Sequence, residues 1–403
     1  MIRKHSSDGV GYSVVEPNGV RHVFAAAVPR TPGDLAEQTH DALRTIEAVC
    51  SDEGAHNSIV HQAVFLDDPA HFDACRQLIL DFYGSELPAT TFIFQPPCNG
   101  KMVSIEALGI GRGSGGVQVE RLGERMVSVA HDGVTWVHLA NVSLRTPAGS
   151  TYERATCLFQ AMRDGLALRK VRFDQIIRTW LYLGDIVGPE GDTQRYKELN
   201  RARTDFFEGI RFGCGRVPAS WTHPVYPAST GIGTNGRDLV MSCIALCTER
   251  DDVMLVPLEN PQQTAACDYD LRYGPQSPKF ARAMAVVTPK YSTTLVSGTA
   301  SITSSETQHR GDAAAQTAQT LDNIAALISP SNFAQHSAPG HGATLDDLAI
   351  VRVYVKLQED YERVRAVCQE RLGEVPTVYA IADVCRPDLL VEIEGMAFSR
   401  RHE

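Results

Sequence analysis

The sequence predicts a fold of mixed helices and strands in which one unit recurs three times along the chain. Three observations predict it. The segments IVHQAVFL (59–66), IIRTWLYL (176–183) and IVRVYVKL (350–357) match one another without gaps. Each is flanked on both sides by an amphipathic stretch of helical period. Each is followed, after the second such stretch, by a Pro-led segment and a closing apolar strand.

The three matching segments open on two β-branched residues, place a basic or imidazole side chain third, and end in Leu. Alternation and β-branching make each a strand. Alternation also sets His61, Arg178 and Arg352 on one equivalent face. The helices before them are expected at 35–50, 152–168 and 312–328. Those after them are expected at 71–83, 194–207 and 360–372. The Pro-led segments are LPATT (87–91), YPAST (226–230) and VPTVY (375–379), and the closing strands are MVSIEAL (102–108), LVMSCIAL (239–246) and LVEIEGM (390–396).

The units then span 1–115, 116–250 and 291–403, with residues 251–290 as a linker or insertion. Residues 109–116, GIGRGSGG, read as the link between the first two units. The Gly/Pro/Ser-rich stretch 329–344 reads as a long loop inside the third, of the kind that is functional or a plain insertion. GIGTNG (231–236) is followed by a strand rather than a helix. It therefore reads as a hairpin turn and not as a phosphate loop.

The chain has 403 residues, 43% hydrophobic and 21% charged, enough to bury sizeable cores. A net charge of −10 argues against a nucleic-acid groove, which needs clustered cations. It leaves room for a small anionic substrate in a locally basic pocket. The ten cysteines form no CxxC pair, and Cys243 and Cys247 lie in an apolar run, so reduced thiols and a cytoplasmic setting are expected. The opening MIRKHSSDGVGY lacks the apolar core of a signal peptide, and no apolar run approaches the ~20 residues of a membrane helix. No His, Cys, Asp or Glu set has metal-ligand spacing; His336 and His341 have no partner pattern. No metal or organic cofactor is expected, and a monomer or small homo-oligomer is.

LVSGTASI (295–302), GDAAAQTAQTLDNIAALI (311–328), LAIVRVYV (348–355) and LLVEIEGMAF (389–398) resemble a RidA/YjgF domain. The resemblance implies a chorismate-mutase-like α+β fold, and three tandem copies imply an intramolecular pseudo-trimer with clefts between units. A narrower resemblance covers residues 120–400. WLYL (180–183), Arg195 and Tyr196 with Phe206, YGP (273–275), SGTAS (297–301), and ADVCR (382–386) with Glu392 are similar to the chorismatases. That family acts on chorismate and releases pyruvate without a cofactor.

Alternation puts Glu392 and Glu394 on one strand face, where desolvation raises a carboxyl pKa into the range of a general acid. The resemblance implies that Glu392 protonates the enolpyruvyl methylene and that Cys385 assists ring chemistry. It further implies that Arg352, Arg386, Arg282 and Tyr273 hold carboxylates, and that Ala300 marks a hydrolytic subtype. Ser104 and Ser242 fall where the third unit has Glu392, leaving one acid in the chain.

Three departures stand against the family patterns. Gln276 replaces an Arg in YGPQSP, losing a charged bidentate contact. The first unit is an addition to the chorismatase pattern. Thr90, Ser229 and Thr377 stand where RidA deaminases carry a carboxylate-gripping Arg. The other readings are an enamine/imine deaminase and a non-catalytic ligand-binding or scaffold protein.

Overall fold

The structure, a computed structural model, describes residues 2–55, 58–112, 116–144, 149–269 and 276–402. Its first sheet holds β1 (Arg3–Ser7), β2 (Val10–Val15), β3 (Val20–Ala27), β4 (Ile59–Leu66), β5 (Ala89–Ile93) and β6 (Val103–Arg112), with α1 (Leu35–Asp52) and α2 (Phe72–Tyr83). The second holds β7 (Gln118–Leu122), β8 (Met126–His131), β9 (Val134–Val142), β10 (Ile176–Gly184), β13 (Ala228–Thr234) and β14 (Leu239–Thr248), with α3 (Thr151–Ala167) and α4 (Arg195–Phe207). A small ribbon of β11 (Pro189–Glu190) and β12 (Thr193–Gln194) precedes α4.

The third sheet holds β15 (Met254–Leu258), β16 (Ala283–Val287), β17 (Tyr291–Ala300), β20 (Leu348–Val355), β21 (Thr377–Ile381) and β22 (Val391–Arg400). Its helices are α5 (Ala313–Ile328), α6 (Pro330–Gln335) and α7 (Tyr361–Leu372), and β18 (Ile302–Thr303) pairs with β19 (Glu306–Thr307) beside them. Spatial order is the same in all three six-stranded sheets. Two antiparallel strands lead to a third, the closing strand pairs beside it, then the central strand, and last a parallel edge strand. The fold is therefore mixed α+β.

Three of the long helices start where the sequence supplies caps. Asp34 with Glu37 and Ser150 with Glu153 form reciprocal capping boxes at α1 and α3, and Asp312 caps α5 through Ala315 N–H. Each sheet buries one face under its own helices, as Val64 and Ile105 do with Leu43 and Ile46. The other faces meet in a shared apolar core that takes Phe24 and Phe65 from the first sheet, Trp180 and Ile244 from the second, and Tyr354 and Leu295 from the third. Helices on one face and sheet on the other explain why the central strands are buried along their whole length.

Four expectations need correction. Residues 251–290 are no linker: β15 and β16 within them are two strands of the third sheet, paired from Met254↔Val287 to Leu258↔Ala283. Gly231–Thr234 is not a turn but part of β13, which runs parallel to β10. The stretch 109–116 is strand as far as Arg112. The loop 329–344 contains α6, started by Ser329 accepting from Asn332 N–H and by Pro330 at the first turn.

The register brings the fifth correction. Each central strand pairs with its closing strand with one irregularity, between Ile59 and His61, Ile176 and Arg178, and Leu348 and Ile350. Ile350 therefore matches His61 and Arg178, while Arg352 matches Ala63 and Trp180. A slip of two residues leaves every side chain on its own face, so alternation could not expose it. By the same register Glu392, opposite Tyr354, matches Ser104 opposite Phe65 and Val240 opposite Tyr182. Ser242 instead matches Glu394.

Candidate active site between the second and third sheets

A pocket of about 140 Å³ opens where the second and third sheets meet. The second sheet contributes Ser229 and Gly231 of β13, with Tyr196, Asn200 and Arg203 of α4. The third contributes Gly298 and Ala300 of β17, Glu392 of β22, Cys385 and Arg386 of the preceding loop, and Arg282 at the start of β16. Of the residues the sequence singles out, Glu392, Cys385, Arg282, Arg386 and Ala300 are thus brought together. Tyr273 lies outside the described residues.

Glu392 and Glu394 share a strand face yet have opposite surroundings. Glu394 accepts from Arg178 Nη2 at 2.6 Å, Trp180 Nε1 at 2.8 Å, Arg352 Nη1 at 3.1 Å and Tyr354 O–H at 3.1 Å, and also from the Thr230 hydroxyl. Burial opposes its charge, but Arg178 and Arg352 with these donors hold its carboxyl below the usual range. Glu392 has no hydrogen-bond donor among the described residues. Burial, then the charge of Glu394, push it up to about 8, against weaker attraction from Arg178 and Arg282. It is therefore protonated at neutral pH. Two neighbouring carboxyls driven apart in this way are the signature of a general acid beside a structural anion.

The carboxyl of Glu392 lies on bare backbone. A Cβ placed on Gly298 would meet Glu392 Oε1 at 2.0 Å and its Cδ at 2.9 Å. Gly298 sits at a bulge in β17 between Val296 and Thr299, which aims the strand toward the acid. Cys385 is partly exposed, and burial pushes its thiol up to about 12, with Glu392 adding to the effect. It is a neutral thiol here and not a nucleophile.

Arg352 does not join the pocket. Its Nε and Nη2 grip Glu106 at 2.6 and 2.8 Å, its Nη1 reaches Glu394 and the Tyr182 hydroxyl, and it is 4% exposed. Its charge is fully committed to a buried network joining all three sheets.

The cation the sequence reading missed is Arg203. Its Nη2 donates to Asn200 Oδ1 at 2.6 Å and its Nη1 to Ser229 Oγ at 3.4 Å, while its Nε is buried without a partner among the described residues. Ser229 occupies the strand position that lacks the expected Arg, so a helix delivers the guanidinium instead. Its signal was present: Tyr196, Asn200 and Arg203 recur at i, i+4 and i+7, a polar stripe on the inward face of α4. Arg282 Nη2 donates to the Tyr269 hydroxyl at 2.5 Å and to Thr264 O at 3.1 Å. Arg386 Nη1 donates to Ser305 O at 2.8 Å, and its guanidinium lies 5.3 Å from the Tyr269 ring centre. Three guanidinium groups around one uncharged acid suit an anionic guest.

The chain has relatives among curated proteins. It is 34% identical to a 3-hydroxybenzoate synthase of Streptomyces hygroscopicus over 275 residues, 66% of this chain and 76% of that protein. It is 35% identical to a chorismatase of Streptomyces rapamycinicus over 279 residues, 67% of this chain and 78% of that protein. The chain belongs to the chorismatase family. The family model described as Chorismatase FkbO/Hyg5-like, N-terminal, matches residues 112–245, which hold the second sheet through most of β14. A solved chorismatase structure aligns over 94% of this chain and 98% of its own, with a TM-score of 0.66 at 21% identity. The chorismatase fold therefore extends through the first sheet, which corrects the expectation that the first unit is an addition.

Within this chain the junction of the first and second sheets repeats the pocket's frame without its chemistry. Val240 stands at the register of Glu392, Phe92 at that of Gly231, and Asn141 at the bulge position of Gly298. They line a separate cavity of about 200 Å³ with Phe72 and Phe94. No helix among the described residues is long and apolar enough to cross a membrane.

Proposed function

We propose that the chain cleaves chorismate, a dicarboxylate enol ether, with release of pyruvate. The single observation that carries this is Glu392: a carboxyl that is protonated at neutral pH, seated on Gly298 and faced by a pocket with three arginines. Arg203, Arg282 and Arg386 seat the two carboxylates. Glu392 gives its proton to the terminal methylene carbon of the enolpyruvyl group, leaving an oxocarbenium at the ether carbon. Water adds to that carbon, its proton returns to Glu392, and the hemiketal collapses to pyruvate and a ring alcohol. No step calls for a metal or organic cofactor. Cys385, as a thiol, can pass a proton beside the ring but does not attack.

The three sheets are read as RidA-like units closed into an intramolecular pseudo-trimer. Supporting this, β5 packs on β9, β13 on β17 and β21 on β6, so each edge strand meets the next unit. Such a chain completes its clefts alone, as a monomer or a small homo-oligomer. Ten cysteines without a disulfide suit a reducing, cytoplasmic setting.

The test is the purified chain with chorismate, scoring pyruvate by a coupled dehydrogenase. One pyruvate per chorismate consumed is expected. Ammonia released from 2-aminoacrylate, with no pyruvate from chorismate, would replace this reading by deaminase chemistry.

Gly298→Ala supplies a geometric test. Its added methyl cannot share space with the Glu392 carboxyl, so the acid must move by about 1 Å. A fall in kcat of about 10²-fold is expected, with Tm little changed. Wild-type kcat in a folded Gly298→Ala variant would show that the acid does not act from this position.

A further inference from the structure

We propose that Thr230 is a positioning residue for the proton donor: its hydroxyl occupies the Gly298 N–H, so that the Glu392 carboxyl rests on the bulge without a backbone donor. This rests on the chorismate reading and adds a residue to its machinery. Thr230 lies in β13 between Ser229 and Gly231, which line the pocket, but it does not line the pocket itself and is 1% exposed. It therefore acts through Gly298 and Glu392 and not on substrate. Its Oγ1 accepts from Gly298 N–H at 2.9 Å and from Arg178 Nη2 at 2.6 Å, and its O–H donates to Glu394 Oε2. One donor and two acceptor sites are all a hydroxyl has, so its orientation is fixed.

The bulge takes Gly298 out of the β17–β22 register, between Val296↔Gly395 and Thr299↔Ile393. Glu392 Oε1 lies 2.0 Å from where a Gly298 Cβ would stand, hence within about 4.5 Å of the Gly298 nitrogen. A buried N–H robbed of its acceptor turns to the next oxygen, and this carboxyl is beside it. The chain repeats the device where a bulge calls for it. Between the first and second sheets Thr91 matches Thr230, and its Oγ1 is 2.7 Å from Ser242 Oγ, which accepts from Asn141 N–H at 3.1 Å. Asn141 matches Gly298, and β9 is bulged there as well. Between the third and first sheets the matching residue is Val378, and β3 pairs with β6 without a break. A hydroxyl stands at both bulges, and an isosteric Val at the unbroken strand.

The charged groups facing Glu392 are Glu394 on its own strand, Arg178 of β10 and Arg282 of β16; Cys385 and Tyr196 also face it, both held neutral by burial. Thr230→Val removes none of them, and Glu394 keeps Arg178, Trp180, Arg352 and Tyr354 as donors. It frees one N–H beside the acid, which favours the charged form. In Thr230→Val, kcat for pyruvate release is expected to fall about tenfold below pH 7 with KM unchanged, and the alkaline fall in kcat should begin about one pH unit lower. Thr230→Ala should follow it, and Thr230→Ser, which keeps the hydroxyl, should recover most of both. A second measurement does without chorismate. At pH 8 the gain in Tm from Glu392→Gln should be smaller in Thr230→Val than in the wild type, because a carboxyl with an N–H donor costs the fold less when ionised. An equal gain in both backgrounds, a wild-type pH profile in Thr230→Val or Thr230→Ala, or a Thr230→Ser that behaves like Thr230→Val overturns this inference alone. Absence of pyruvate from chorismate with the wild-type chain overturns the chorismate reading, and the melting comparison then decides the placing of the acid by Thr230.

Discussion

Glu392→Gln is expected to lower kcat for pyruvate release by about 10²–10⁴-fold while leaving chorismate affinity near that of the wild type. The amide keeps the shape of the acid and its seat on Gly298 but has no proton to give. The pH profile is the sharper readout. The active form is the protonated one, and the folded value is about 8. Wild-type kcat should therefore be level below about pH 7 and fall tenfold per pH unit well above 8, while the residual rate of the Gln variant is flat. A wild-type profile rising through that range would mean that Glu392 acts as a base and would end the proton-donor mechanism. Stability carries the same signature. Between the ordinary 4.5 and about 8 the folded chain holds a proton that the unfolded chain releases, so this group makes the fold less stable as pH rises. Gln removes the effect, and at pH 8 the variant should melt above the wild type.

Arg352→Leu is expected to destabilise the chain by about 3–5 kcal/mol and to leave KM for chorismate unchanged. The guanidinium is the sole charged partner of Glu106 among the described ion pairs and one of two for Glu394. Removing it strands a buried anion at the meeting point of the three sheets. Urea unfolding reads the loss, and the double variant with Glu106→Leu should recover much of it, because the stranded charge leaves with its partner. Glu394 also sets an acid limit. Its carboxyl is held below the usual range, so its stabilising share is present above the ordinary carboxylate pKa and is lost as pH falls through the folded value. A raised KM with undiminished stability would return Arg352 to the substrate, where the sequence reading had placed it.

These two residues show how far the sequence reads. Glu392 was legible because strand period, an apolar flank and the neighbouring Glu394 are all local. Its burial follows from its face, and its raised pKa from its burial. Arg352 obeys the same local rule and was misread, since alternation says that a side chain points inward but not whom it meets there. Its partners come from Glu106 and Tyr182, far away in the chain. Arg203 was overlooked for the converse reason: a helix of RYKELNRARTDFF composition looks like a solvated face. Only the packing of α4 against the third unit turns its polar stripe into a pocket wall.

The sequence alone determined the helix, strand, helix, strand, strand order at the centre of each unit and its threefold recurrence, and it singled out Glu392 as a candidate, because each is carried by periods of two or 3.6 residues. Only the tertiary structure decided the register between repeats, since a shift of two residues preserves every face. It alone also decided which arginines line the pocket. Arg352 and Arg178 are held away from the pocket by carboxylates within about 4 Å, and in each case one of these, Glu106 or Glu394, belongs to another unit of the chain.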